Sequence, residues 1–194
     1  MIEEIEIKRK IYQVVEQIGD RSFKVERKGQ FFFLKKFDDD KAGFEKFTDA
    51  EHKLRVSGVT NPKCCLYDKK LRWVVLDYID GPNCLELLKA GSLPEEILEQ
   101  MFKNYWYAKN DRFALDMKPD NFVFKNGKLY YLHFTYEKFV SNDNFVQNDL
   151  RLWFYTKEFV QYCHSKGIDA DIKRVKSDYE TNKNMALMTV KYFR

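Results

Sequence analysis

Asp116-Met117-Lys118-Pro119-Asp120-Asn121 puts a carboxylate, an ammonium group and an amide into one short stretch. Asp116 can accept a hydroxyl proton, Lys118 can neutralise a migrating phosphate, and the side-chain oxygen of Asn121 can hold a divalent metal. Together they suit phosphoryl transfer. Pro119 forces the backbone out of regular structure. Phe122-Val123-Phe124 directly behind it reads as an apolar strand. A string of this kind also arises by chance in surface turns, so its weight depends on what else the chain supplies, and in what order.

The elements that must position this loop can be followed along the chain. Residues 2–8 and 11–18 alternate apolar with polar and contain Ile and Val, which predicts strands. Gly19-Asp20-Arg21-Ser22-Phe23-Lys24-Val25 predicts a hairpin, Lys28-Gly29-Gln30 a second turn, and Phe31 to Phe37 a strongly apolar strand. Lys35 and Lys36 point to opposite faces by alternation. At most one enters a cleft, where it needs a carboxylate or phosphate partner. Phe44, Phe47, Ala50 or Glu51, and Leu54 recur at helical spacing, so a helix is expected over 42–56, ended by Ser57-Gly58. Strands follow at 63–67 and 71–78, the second apolar enough at Trp73-Val74-Val75-Leu76 to be buried on both sides.

Asp80-Gly81-Pro82 marks the one clear shift in composition and divides the chain into residues 1–80 and 81–194. Helices are expected over 84–89 and 94–107. Asn126-Gly127, between apolar runs at 122–125 and 129–132, is the strongest hairpin signal. From Asn148 onward the pattern predicts helices whose aromatic face, Leu150, Trp153, Phe154 and Phe159, belongs to the core.

Composition narrows the function classes. Hydrophobic residues make up 44% and charged residues 33%, enough for a packed core and against wholesale disorder. At 16% aromatic, much of that core must be built from rings. Cys64, Cys65, Cys84 and Cys163 form no C-x-x-C pair and read as buried, reduced thiols. A net charge of +4 does not demand a nucleic-acid partner. Lys173, Arg174, Lys176 and Lys183 interleave with Asp169, Asp171, Asp178 and Glu180, as on a solvated helix face. No apolar run approaches the roughly 18 residues that span a bilayer. The charged, alternating first residues do not resemble a signal peptide, so the cytoplasm is the expected compartment.

A glycine-bearing hairpin, a strand ending in Lys, a helix with Glu, an apolar strand, a Gly-Pro hinge, then D-x-K-P-x-N and a hairpin follow one another over residues 11–155. That order resembles the protein-kinase-like superfamily. The resemblance implies an α+β, two-lobed fold: a small antiparallel sheet plus one helix, then a reduced, mainly helical second lobe carrying the catalytic-loop hairpin. It also implies roles. Gly19, Ser22 and Val25 belong to a degenerate glycine-rich loop. Lys35 would pair the α and β phosphates and Glu51 would hold Lys35. Leu76 would sit behind the adenine, with the backbone of Asp77 and Ile79 binding it. Asp116 would be the catalytic base, Lys118 the phosphate-neutralising lysine and Asn121 a metal ligand. Asp149 would support the catalytic loop.

Two departures carry as much information. His133-Phe134-Thr135 stands where the family has Asp-Phe-Gly, so an imidazole replaces a metal-binding carboxylate. Mg²⁺ prefers hard oxygen ligands, whereas Mn²⁺ tolerates imidazole better. Asp143 or Asp120 are alternative carboxylates. Leu115 precedes Asp116 where many kinases have Arg, and no Ala-Pro-Glu segment follows. Short atypical members are similar in these respects: RIO-type kinases, lipopolysaccharide-core sugar kinases and compact effector kinases. The resemblance therefore implies ATP, with Mg²⁺ or Mn²⁺, and an unidentified protein or small-molecule acceptor. The alternative it implies is an inactive pseudokinase that binds a protein partner.

Overall fold

A computed structural model of the chain describes residues 3–91, 93–140, 145 and 149–192. Its alternating segments pair as six antiparallel strands: β1 (Glu4–Ile7), β2 (Lys10–Gly19), β3 (Ser22–Arg27), β4 (Gln30–Lys36), β5 (Cys64–Asp68) and β6 (Trp73–Asp77). Their order in the sheet is β1-β2-β3-β4-β6-β5. Register fixes the faces. Lys24 lies opposite Phe33, and Val25 opposite Phe32. Phe33 lies opposite Leu76, and Lys35 opposite Val74. Paired residues share a face, so Lys24, Phe33, Lys35, Val74 and Leu76 line one side. Val25, Phe32, Leu34 and Val75 line the other, where Ile7 and Tyr12 complete a separate buried cluster.

The first face takes helix α1 (Lys41–Ser57), which buries Phe44, Phe47, Ala50, Glu51 and Leu54 against it. Asp40 caps its start by accepting from the Gly43 N–H at 2.7 Å. Gly58, at φ 86°, ends it in the left-handed conformation that glycine adopts without strain. Between α1 and β6, Val74 and Leu76 join a cluster that continues through Phe102, Tyr131 and Trp153. The sheet and the helical residues beyond it thus share one core.

After β6 the chain runs through helix α2 (Cys84–Ala90), helix α3 (Glu95–Asn110) and a short strand β7 (Phe113–Ala114). A single 3-10 turn at Pro119–Asn121 leads into the hairpin β8 (Phe122–Lys125) and β9 (Lys128–Tyr131). Strand β10 (Glu137–Lys138) returns to pair with β7. Helix α4 (Lys157–Ser165) and helix α5 (Asp178–Tyr192) complete the described chain. The architecture is α+β, with five α-helices among the described residues. No helix among them is long and apolar enough to cross a membrane.

Three expectations need correction. Leu150–Trp153 is a 3-10 turn and not an α-helix, because Phe154 turns extended and Thr156 caps a new helix by accepting from the Phe159 N–H at 3.0 Å. The expected start of that helix at Asn148 lies outside the described residues, as does Asp143. Pro94 sits at the N-cap of α3 and not in its first turn. Of the four cysteines, all free, only Cys84 and Cys163 are buried; Cys65 is exposed.

The chain leaves the sheet at Gly81, pressed against the β8–β9 hairpin. A Cβ there would lie 2.8 Å from the Phe124 carbonyl oxygen and 3.1 Å from Val123 Cγ1. The Phe124 N–H donates to the Pro82 carbonyl at 3.3 Å, which ties the two segments together. Gly81→Ala is therefore expected to destabilise the fold by about 1–3 kcal/mol through overpacking against backbone, seen as a lower urea midpoint. An unchanged midpoint would show that the crossing is looser than this.

Candidate active site

The loop at 116–121 is held from three sides. Trp153 Nε1–H donates to the Met117 carbonyl at 2.6 Å, with both residues buried. The Asp116 N–H donates to the Tyr131 hydroxyl at 3.3 Å, and that hydroxyl donates to the Thr135 carbonyl at 3.3 Å. Burial pushes the Tyr131 phenol well above its ordinary range, so it stays a neutral donor at physiological pH. Asn121 closes the loop on itself, its side-chain nitrogen donating to the Asp116 carbonyl at 3.0 Å. Its backbone carbonyl accepts from the Leu132 N–H at 2.8 Å, so the loop and the far end of the hairpin hold each other in place. Asp120 turns the other way, accepting from the Tyr162 hydroxyl at 2.7 Å and pairing with Lys166 at 3.2 Å.

Lys118 Nζ lies 3.0 and 3.1 Å from the two Asp116 carboxylate oxygens. That hydrogen bond raises the lysine above its ordinary value, against the smaller opposing effect of burial. Its ammonium is therefore intact at neutral pH. The lysine's contribution to stability is full below the ordinary lysine range and is lost as pH rises through the raised value. Asp116 and Lys118 line a polar pocket of about 240 Å³ with His133, Thr135, Glu137 and Asp149. His133 is exposed, at the pocket wall.

A second, apolar pocket of about 90 Å³ lies behind the sheet residues, lined by Phe33, Leu76, Asp77, Ile79, Leu132 and Phe134. The Asp77 N–H is already taken by the Lys63 carbonyl at 3.0 Å. Among the described residues no group accepts from the Ile79 N–H. The two pockets share the segment Leu132 to Thr135, whose alternate residues line one and then the other. Lys35 faces this region. Its Nζ is 5.5 Å from the ring centres of both Phe37 and Phe47, and the Phe47 ring packs 4.7 Å from that of Phe134.

The remaining sequence-based site residues separate into those brought here and those that are not. Ser22 lies opposite Lys35 in register and shares its face, with Gly19 beside it across the hairpin. Val25 does not belong to this side: it is fully buried on the opposite face, in the cluster with Tyr12 and Leu34. Sequence reasoning placed it by a motif offset, and the pleat puts Lys24 here instead, with Nζ 4.6 Å from the Tyr78 ring centre. Glu51 is buried but does not meet Lys35. It pairs with Arg55 one helical turn on, at 3.3 Å.

The residues expected to hold a metal, Asn121 and His133, make a poor pair for Mg²⁺. Asn121 offers a single neutral oxygen, His133 an imidazole, and both Asp116 oxygens are engaged by Lys118. Among the described residues no group of three or more His, Cys, Asp or Glu side chains is placed to hold a metal.

Tyr131, Trp153, Tyr162 and Lys166 were missed as site residues. Trp153 was legible only as core, and the other three gave no local signal. No protein-family model matches this chain, and no curated protein matches it significantly.

Asp77 also shapes a thiol. Cys65 Sγ lies 3.0 Å from Asp77 Oδ1. Burial first, then that bond, pushes the thiol up to about 12. Although exposed, Cys65 should therefore be alkylated by iodoacetamide at pH 8 at least about tenfold more slowly than a free thiol, since the thiolate is the nucleophile. Asp77→Asn should speed the reaction severalfold, as followed by peptide mass spectrometry. A normal rate in the unaltered protein would contradict this local electrostatic picture.

Proposed function

We propose that the chain is an ATP-dependent phosphotransferase of the protein-kinase-like superfamily, acting on an alcohol group. The observation that carries the reading is that the segment Leu132 to Thr135 lines two pockets: one apolar, behind Leu76, and one polar, around Asp116 and Lys118. The apolar pocket suits the adenine face against Phe33, Leu76 and Phe134, with the Ile79 N–H free to donate. The element order supports the two-lobed reading, as does the chain's exit from the sheet at residues 79–82.

In this reading Asp116 takes the proton of the acceptor hydroxyl as that oxygen attacks the γ-phosphorus. The bond from phosphorus to the β-phosphate oxygen breaks, and ADP leaves. Lys118, within 3.1 Å of both Asp116 oxygens, balances the charge on the transferring group. Lys35 and Lys24 supply further positive charge from the sheet face. Tyr131 and Trp153 keep the loop in place and exchange no protons with substrate. Where a divalent metal accompanies the nucleotide, Asn121 is the one loop side chain with an oxygen left to offer it.

A second reading, a nucleotide-poor binding module for a protein partner, is favoured by two observations. Glu51 pairs with Arg55 rather than Lys35, and an imidazole stands at position 133.

Thermal shift and ADP formation separate the two readings. ATP should raise the melting temperature, and Asp116→Asn should keep that shift while losing about 10²–10⁴ in the rate of ADP formation. No shift with ATP alone, with Mg²⁺ or with Mn²⁺ would leave only the binding module. His133→Asp supplies the missing hard oxygen and should strengthen Mg²⁺-dependent nucleotide binding. An unchanged affinity would remove His133 from the metal position.

A further inference from the structure

A cavity of about 420 Å³ lies away from this cleft, on the helical side. That volume is within the roughly 300–1,000 Å³ typical of small-molecule sites. Its floor is apolar and buried: Leu88 of α2, Leu98 of α3 and Trp153. Its rim is polar and exposed, and carries Arg174, Lys176 and Asn184. The sequence reads these two cations as part of a solvated face, because acidic residues alternate with them. The fold takes them out of that pattern and sets both over one apolar hollow.

Arg174 is held in position. Its Nη1 donates to the Lys89 carbonyl at 2.6 Å, at the end of α2. Its guanidinium lies 4.5 Å from the ring centre of Tyr155, which also lines the cavity. Gly91, which ends α2, leaves it room: a Cβ there would be 2.8 Å from Arg174 Nη2. A guanidinium fixed by a carbonyl and an aromatic face loses less freedom on meeting an anion than a solvated one does. Among the described residues neither Arg174 nor Lys176 has a carboxylate partner within 4.0 Å.

We propose that this cavity is a binding site for a small amphipathic anion, with its apolar body on Leu88, Leu98 and Trp153 and its carboxylate or phosphate at Arg174 and Lys176. An apolar floor under a cationic rim selects both parts at once. A purely apolar molecule leaves the cations unused, and a bare anion leaves the floor wet. The site does not depend on the phosphotransferase reading. It does share Trp153 with the loop, since the indole that floors the cavity also donates to the Met117 carbonyl.

Isothermal titration calorimetry on the full chain tests this, with decanoate, decyl phosphate, decanol and inorganic phosphate as probes. One of the two alkyl anions should bind at a single site, and the tighter of them names the head group. Decanol should bind at least about tenfold more weakly than that anion, and inorganic phosphate should give no heat. Arg174→Gln combined with Lys176→Gln should weaken the anion to the level of decanol while leaving decanol unchanged. Asn184→Trp, which fills the mouth from an exposed position, should abolish both. Decanol binding as tightly as the anions in the unaltered protein would overturn the proposal, and needs no variant to fold. So would full anion affinity in the double variant or in Asn184→Trp.

Discussion

The hydrogen bond from the Trp153 indole to the Met117 carbonyl, 2.6 Å long and buried at both ends, ties the helical side of the chain to the loop that carries Asp116. A buried carbonyl without its donor costs about 1–3 kcal/mol, so the loop and the Trp153 segment stand or fall together. Much else follows from that join. Trp153 packs on Phe122, Phe122 packs on Tyr131, and Tyr131 accepts the Asp116 N–H. A closed circuit of rings and hydrogen bonds thereby surrounds a six-residue loop that no secondary structure of its own would hold, beyond one turn of 3-10 helix. Rigid support of this kind is what positioning a proton acceptor requires.

The sheet serves a complementary purpose. Its two faces have separate cores, so the residues that point toward the loop are set by parity alone. Phe33 and Lys35 share a side with Leu76 because β4 and β6 pair in one register, and a slip of one residue would bring Val75 or Asp77 to that side in place of Leu76. Lys36, on the other face, spends its charge on Asp38 at 2.7 Å. The separation of the two lysines is thus a direct consequence of the pleat.

Most of the element order was legible, because the signals were local: alternation in β1 to β4, helical spacing in α1, Asn126-Gly127 in the β8–β9 turn. The grouping of Asp116, Lys118 and His133 was expected only from the family resemblance, and the three line one pocket. What was not legible needed distant partners. Strands β7 and β10 are two residues each and exist only because they meet. Trp153 looked like any other core aromatic, since nothing in the sequence says where its one polar atom points. The Lys35–Glu51 pair was inferred by analogy. The helix instead gives Glu51 a nearer cation in Arg55, at the i+4 position where opposite charges meet without help from the sheet. Val25 was misplaced because a motif offset ignores a strand's alternation.

The proposed nucleotide site runs from Phe33, Leu76 and Ile79 to the Asp116 loop. Photolabelling with 2-azido-ATP, followed by peptide mapping, tests it most directly. Covalent label is expected on the peptides that contain Phe33 and Leu76 to Ile79, competed away by unlabelled ATP. Absence of competed label, or its appearance only on peptides remote from both the sheet face and the loop, would contradict it.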